Sequence, residues 1–181
     1  MKMREEVFSD MKISMMGFTS YPQGSIKNDY SNIDIKNEET IVEEIAIDYS
    51  VYLGVLEIPR IGLKRGFYPY DDPLNNIERN VTLVKGSDLP DVENGNLILT
   101  AHSGDSYISY FAYLYLLNIG DDCYISYNNQ TYHYQIKNIY TVYKNGIVNI
   151  DRDYDKNTLT MITCTKDDDT MQTVYIAELV E

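Results

Sequence analysis

The chain has 181 residues, a formal net charge of −13 and a hydrophobic fraction of 44%, and this length is enough to bury a substantial core. The acidic balance argues against nucleic-acid binding, because no basic surface is available to neutralise phosphates. The aromatic residues are 18 Tyr and 4 Phe, with no Trp. They favour a β-rich fold, since tyrosine suits half-buried pleated surfaces.

The N-terminal part differs in pattern from the rest. Residues 1–36 are polar and rich in methionine, and we expect them to form a leader or tether. In residues 37–49, Ile41, Ile45 and Tyr49 alternate with pairs of glutamates, which predicts an amphipathic helix. No apolar run is as long as a membrane span and the first residues do not form a signal peptide, so we expect any membrane anchor to lie outside this chain.

The globular domain is predicted over residues 37–181, including that helix. Short apolar and β-branched runs bounded by Gly, Pro, Asn and Asp predict strands. These runs are residues 55–58, 64–68, 81–84, 96–100, 123–127, 131–143, 158–164 and 173–180. Asn128-Asn129 is a hairpin-turn signal. About eight strands, with strands at both ends of the core, predict a mainly β fold, a closed or nearly closed barrel.

One helix is predicted inside the barrel sequence. Asp105 or Ser106 is a candidate N-cap, and Gly120 follows the expected end near residue 118. The predicted buried side consists of Ile108, Phe111, Leu114 and Tyr115.

The cysteines and histidines limit the chemistry. Cys123 and Cys164 are too few for a disulfide framework, although a single bridge between them stays open. His102 and His133 are isolated, so no metal centre and no cofactor are predicted. The run Asp167–Asp169 is interpreted as a solvated loop, because it lacks a defined ligand cage for calcium.

Cys164 and His102 each follow an apolar strand. Cys164 ends Thr158–Cys164, and His102 lies between Thr100-Ala101 and Ser103-Gly104. A cysteine at a strand end is either inert packing or a nucleophile, and a nucleophilic thiol needs a basic or cationic partner such as histidine. Cys123 and His133 lie inside alternating strands and are interpreted as structural.

Four motifs, in order along the chain, resemble the sortases, the cysteine transpeptidases of Gram-positive bacteria. Thr160–Cys164 resembles the Thr-Leu-x-Thr-Cys signature with Met in place of Leu, and Ala101-His102 precedes it at a similar separation. Leu56–Leu63 resembles the first sortase strand and its turn, and Asn94–Gly104 resembles the strand that carries the catalytic histidine. The resemblance covers about residues 50–181.

The resemblance implies a closed eight-stranded barrel with one or two short helices, which uses Cys164 to cleave a Leu-Pro-x-Thr-Gly-like sorting signal. His102 would protonate the leaving amine and then deprotonate an acceptor amine of a peptidoglycan precursor or a pilin. The implied location is the extracellular face of the cell membrane. Ala101 and Thr163 are predicted to contact substrate, although Thr163 is equally well a core residue. Loop 144–157 corresponds to the family's signal pocket, with Ile147, Val148 and Ile150 as its apolar contacts.

One position departs from the family pattern. Sortases carry an arginine on the last strand, whereas this chain has no arginine after Arg152 and has Gln172 eight residues after the cysteine. A glutamine amide can donate to an oxyanion but brings no charge, and losing such a donor costs about 3 kcal/mol. The sequence therefore predicts a slow enzyme, unless Lys166 or an earlier arginine reaches the site. The other interpretation of Gln172 is an ordinary exposed polar residue on a strand. The alternative function is a sortase-like barrel with little or no turnover, acting as a surface binding or scaffold module.

Overall fold

The computed structural model describes residues 48–180. The predicted leader and all but the last two residues of the predicted N-terminal helix lie outside this range. Within it, eight strands alternate with turns and short 3₁₀ segments. The strands are β1 (Gly54–Ile58), β2 (Leu63–Phe67), β3 (Thr82–Leu83), β4 (Asn96–Thr100), β5 (Asp122–Tyr127), β6 (Gln130–Tyr143), β7 (Thr158–Thr165) and β8 (Asp168–Leu179). The 3₁₀ segments are Tyr49–Val51, Pro59–Ile61 and Leu114–Leu116.

All eight strands belong to one sheet, in the order β2-β1-β5-β6-β8-β7-β4-β3. Its two edges meet at a single parallel bridge between Phe67 and Val81, which makes the sheet a nearly closed barrel. Neighbouring strands are antiparallel except β4 and β7, which run in the same direction from Asn96 opposite Thr158 to Thr100 opposite Ile162. The predicted mainly β barrel of eight strands is confirmed.

Local turn chemistry explains the hairpins. Asn128 and Asn129 both have positive φ, 49° and 60°, as a two-residue turn between twisted strands requires. Asp167 has a φ of 60° and forms, with Lys166, the two-residue turn that joins β7 to β8. The last strand therefore begins at Asp168 rather than at the predicted Thr173, and the acidic run is the tip of a hairpin instead of a free loop.

The barrel has an apolar cluster on each face of its sheet. The inner cluster contains residues from all eight strands, among them Leu99, Met161 and Tyr175. The outer cluster lies on the opposite face of β4, β7 and β8, and consists of Val84, Ile98, Val148, Ile162, Val174 and Ile176. Because both faces of β7 are covered, its first six residues are all buried.

The predicted helix at 105–118 is wrong. The segment forms a series of turns with one 3₁₀ turn at Leu114–Leu116. The N–H of Phe111 donates to the distant carbonyl of His102 at 2.9 Å, and the N–H of Leu114 donates to Phe111 at 3.2 Å, three residues back. Phe111 and Leu114 are fully buried as predicted, whereas Tyr115 is 45% exposed. Tertiary contacts of these anchors override the helical pattern.

Candidate active site

The parallel pairing of β4 and β7 brings Cys164 and His102 to the same end of the barrel. The paired register ends with Thr100 opposite Ile162. His102 lies two residues after Thr100, and Cys164 lies two residues after Ile162. Side chains two residues apart on a strand share a face. Cys164 and His102 accordingly line one cleft of about 780 Å³.

Side-chain hydrogen bonds hold these two strand ends together. Thr100 Oγ1 donates to the carbonyl of Ile162 at 2.9 Å, and Thr163 Oγ1 donates to the carbonyl of Ala101 at 2.8 Å. Ser103 Oγ donates to the carbonyl of Cys164 at 2.7 Å. These three bonds hold the backbone around His102 against the backbone around Cys164.

The predicted substrate contacts Thr163 and Ala101 are both buried, with exposures of 4% and 2%. The Thr163 hydroxyl is already engaged by Ala101. This geometry favours the alternative that Thr163 is a core residue that positions Cys164. Ser103 was missed by sequence reasoning, because nothing in its local pattern indicates a bond to a residue 61 positions away.

His102 is partly accessible, with 31% of its side chain exposed. Its Nε2 lies 3.3 Å from Oε1 of Glu78, a long contact to a carboxylate that is itself 63% exposed. Water competes for such a pair, so it orients the imidazole only weakly. His102 lines the cleft, where it is accessible to a bound molecule.

Cys164 is half-buried and carries a free thiol. Its Sγ lies 3.4 Å from Nζ of Lys144, the residue immediately after β6. The sequence predicts nothing for Lys144 except that it is the first residue of loop 144–157. The signal that identifies it, the pairing of β6 with β8 and of β8 with β7, becomes visible only in the folded sheet.

Gln172 lies directly opposite Cys164 in the β7–β8 register. Directly opposed residues in an antiparallel pair have their side chains on the same face, so the amide is adjacent to the thiol. Within residues 48–180 the Gln172 side chain forms no hydrogen bond. Its donors are therefore not committed to another protein group.

Lys166, the other lysine that lines the cleft, points to an aromatic ring. Its Nζ lies 3.7 Å from the centroid of Tyr115. The hydrogen bond with Tyr115 raises the pKa of Lys166. Lys166 was one possible source of a cation at the site, but the lysine in contact with the thiol is Lys144.

The loop predicted as the signal pocket covers the outer face of the barrel beside Cys164. Val148 is 2% exposed and packs in the outer cluster with Ile162, the residue two before the cysteine. Ile150 packs against the same cluster, whereas Ile147 is 56% exposed. Of these three predicted contacts, Val148 is therefore a core residue, and only Ile147 and Ile150 keep accessible side-chain surface.

The acidic residues around the cleft do not converge. Residues 48–180 contain no group of three His, Cys, Asp or Glu side chains placed to hold a metal ion. The carboxylate of Asp168 accepts hydrogen bonds from the hydroxyl and the N–H of Thr170, which hold the pKa of Asp168 below its usual range.

Among residues 48–180, no helix is long and apolar enough to cross a bilayer.

The fold and the site together define a class of protein. A cysteine and a histidine at adjacent strand ends, sharing one cleft on a β-barrel, are the groups that covalent acyl transfer requires. Comparison with family models gives the same answer, since the Sortase domain model matches residues 56–180. The chain belongs to the sortase family, whose members are cysteine transpeptidases.

Solved structures agree with this assignment of the fold. A lid mutant of sortase A from Corynebacterium diphtheriae is 24% identical with a TM-score of 0.61, covering 71% of this chain and 70% of that chain. Sortase C1 from Streptococcus agalactiae is 27% identical with a TM-score of 0.60, covering 77% of this chain and 72% of that chain. Sortase C-1 from Actinomyces oris is 24% identical with a TM-score of 0.60, over 72% and 75%. A search of curated proteins gave no match.

Proposed function

We propose that this chain cleaves a Leu-Pro-x-Thr-Gly-like sorting signal and transfers the acyl fragment to an amine. The observation that carries the proposal is the placement of Cys164 and His102 at the ends of parallel strands in one cleft. The acceptor would be an amine of a peptidoglycan precursor or a pilin, at the extracellular face of the membrane.

In the first step, the Cys164 thiolate attacks the carbonyl carbon after the threonine of the signal. A C–S bond forms, and the electron pair of the carbonyl π bond moves to oxygen. The tetrahedral intermediate then collapses, the C–N bond breaks, and protonated His102 gives its proton to the leaving amine. The product is a thioester on Cys164.

In the second step, neutral His102 removes a proton from the incoming amine, which attacks the thioester carbonyl. The C–N bond that forms replaces the C–S bond, and the thiolate leaves. Two moderate barriers thereby replace one high barrier for direct amide exchange. Loop 144–157 is proposed to receive the apolar residues of the signal, since exposed Ile147 and half-buried Ile150 are its accessible apolar groups.

The test is turnover of a Leu-Pro-x-Thr-Gly peptide library in the presence of hydroxylamine. We expect hydroxamate products with the parent protein and with Cys123→Ala, and none with Cys164→Ala. Cys123→Ala is the matched control because it removes a thiol outside the cleft. If both variants failed to give products, the loss of activity would be explained by misfolding and would not identify Cys164 as the nucleophile.

A second candidate function rests on Gln172, which stands beside the thiol where the family pattern has an arginine. In this alternative the barrel binds sorting signals or surface proteins without turnover. Absence of hydroxamate at every pH, together with saturable binding of the same peptides, would support it against the transpeptidase.

A further inference from the structure

Lys144 is held next to the nucleophile by its backbone as well as by its side chain. Its N–H donates to the carbonyl of Thr170 at 2.8 Å, which extends the β6–β8 ladder by one residue. Val142, two residues earlier, lies opposite Gln172 and packs on the outer cluster. Lys144 therefore shares the face of Cys164 and reaches across β8 to place Nζ 3.4 Å from Sγ.

The charge of Lys144 is not neutralised by an ion pair within the described residues. Among residues 48–180, no carboxylate forms an ion pair with it. Two other lysines are engaged elsewhere: Lys64 pairs with Glu57, and Lys166 lies on Tyr115.

None of the four arginines of residues 48–180 lines the cleft, and three of them are bound elsewhere. Arg60 pairs with Asp121, Arg65 binds Asn80 and Tyr110, and Arg152 binds backbone carbonyls. In the described part of the chain, only Lys144 and Lys166 bring a permanent cation to the cleft lining.

The surroundings of the thiol make a cation important. Carboxylates of Asp105 and of Asp167–Asp169 line the same cleft, and negative charge destabilises both a thiolate and an oxyanion. A neutral amide at Gln172 cannot offset that field. The ammonium in contact with Sγ is positioned to do so, because a thiolate beside a lysine is favoured.

We propose that Lys144 is the cation of this active site: it stabilises the Cys164 thiolate and then donates a hydrogen bond to the oxyanion. The inference rests on the proposed transpeptidase function. When the thiolate attacks, the carbonyl oxygen is bonded to the carbon that joins Sγ, so an ammonium in contact with the sulfur is also within reach of that oxygen. In this scheme Lys144 donates hydrogen bonds without giving up a proton, while His102 makes the proton transfers. Gln172 adds a neutral donor from β8, the strand that lies between Lys144 and Cys164.

The test compares Lys144→Met with Lys137→Met. Both lysines belong to the same strand or its immediate extension and both are exposed, so the two variants change the net charge equally and leave the core intact. The first readout needs no substrate: it is the rate of Cys164 alkylation by iodoacetamide at neutral pH. We expect Lys144→Met to lower this rate about threefold, as for loss of an exposed charge pair, and Lys137→Met to leave it unchanged.

The second readout is the rate of thioester formation with a sorting-signal peptide. We expect Lys144→Met to lose about a hundredfold, the loss typical of one oxyanion donor. Lys144→Arg should retain most of the rate. Adding Gln172→Arg to Lys144→Met should restore at least about tenfold, because it returns a cation to a position opposite Cys164.

Parent rates of both alkylation and acylation in Lys144→Met would overturn the inference. The inference would also be overturned if neither Lys144→Arg nor the added Gln172→Arg gave a higher rate of acylation than Lys144→Met. The lost rate would then not depend on a positive charge beside Cys164. If the parent protein forms no thioester, the transpeptidase proposal fails on its own. The alkylation comparison then decides whether Lys144 stabilises the thiolate.

Discussion

The molecule holds two cysteine–histidine regions that differ in nearly every property relevant to chemistry. On the β5–β6 hairpin, Cys123 is fully buried and His133 is opposite Tyr124, stacked on its ring and bound to Asp122 at 2.8 Å. At the ends of β4 and β7, Cys164 is half-buried in an open cleft with His102. The residue types are the same.

The difference between the regions lies in solvation and partners. Burial raises the pKa of the Cys123 thiol to about 12, with a further contribution from the nearby carboxylates of Asp121 and Asp122. That thiol is a core residue with no path for a substrate. Cys164 has an ammonium at 3.4 Å and a cleft in front of it. A strand end next to a loop, more than the presence of a thiol, is what makes a cysteine usable.

The two histidines provide the largest expected contrast. His102→Gln should lower transpeptidation about a thousandfold, because both proton transfers lose their donor and acceptor. His133→Gln should leave the rate within about twofold, since its partners Asp122 and Tyr124 belong to the hairpin. Steady-state kinetics with one peptide checks both variants. Equal losses would remove the functional distinction between the regions.

The buried Cys123 thiol should make the stability of the fold depend on pH in the alkaline range. Because the folded pKa of Cys123 is raised from 9.0 to about 12, the folded state favours the protonated thiol. Its contribution to stability is fully present below about pH 9 and is lost as pH rises toward 12. We expect the free energy of unfolding to fall by a few kcal/mol across that window, measured by urea titration.

Cys123→Ala is the control for this pH dependence. The variant should be less stable at neutral pH and show a shallower decline above pH 9. Burial also raises the pKa of Tyr175 to about 12, so part of the decline will remain. An identical slope in the parent and the variant would contradict the assignment to Cys123.

Gln172 offers a smaller effect within the functional region. Gln172→Ala should lower the rate of acylation about tenfold, because a neutral donor opposite Cys164 is lost while the charge of Lys144 remains. The free energy of unfolding should not change, since the amide forms no hydrogen bond within residues 48–180. Normal acylation in the variant would place the oxyanion donor elsewhere.

Glu78 gives the smallest expected effect. Its contact with His102 is 3.3 Å long and mostly solvated, and such pairs contribute about 0–1 kcal/mol. Glu78→Gln should therefore change transpeptidation no more than about threefold at any pH. A loss comparable to that of His102→Gln in a pH–rate profile would show that the carboxylate is required to orient the imidazole.

Much of the fold was predictable because its signals are local. Strand β4 matches its prediction at Asn96–Thr100, and the Asn128-Asn129 turn follows from the tolerance of asparagine for positive φ. The helix prediction at 105–118 failed because Phe111 bonds to His102 across a loop and not along the segment. A 3.6-residue pattern cannot distinguish these two arrangements.

The site was predictable only in part for the same reason. Cys164 and His102 stand in recognisable motifs, so the sequence identified them as partners. Lys144 and Ser103 lie in no such pattern, and their contacts with Cys164 cross 20 and 61 positions of the chain. Only the strand order β6-β8-β7-β4 places them beside the thiol.

The most direct test of the central claim is to locate the acyl group after incubation with a sorting-signal peptide. The reaction is stopped with acid, and the protein is digested and mapped by mass spectrometry. We predict a single thioester on the peptide that contains Cys164 and an unmodified Cys123. An adduct on Cys123, or equal modification of both cysteines, would contradict the assignment of Cys164 as the nucleophile.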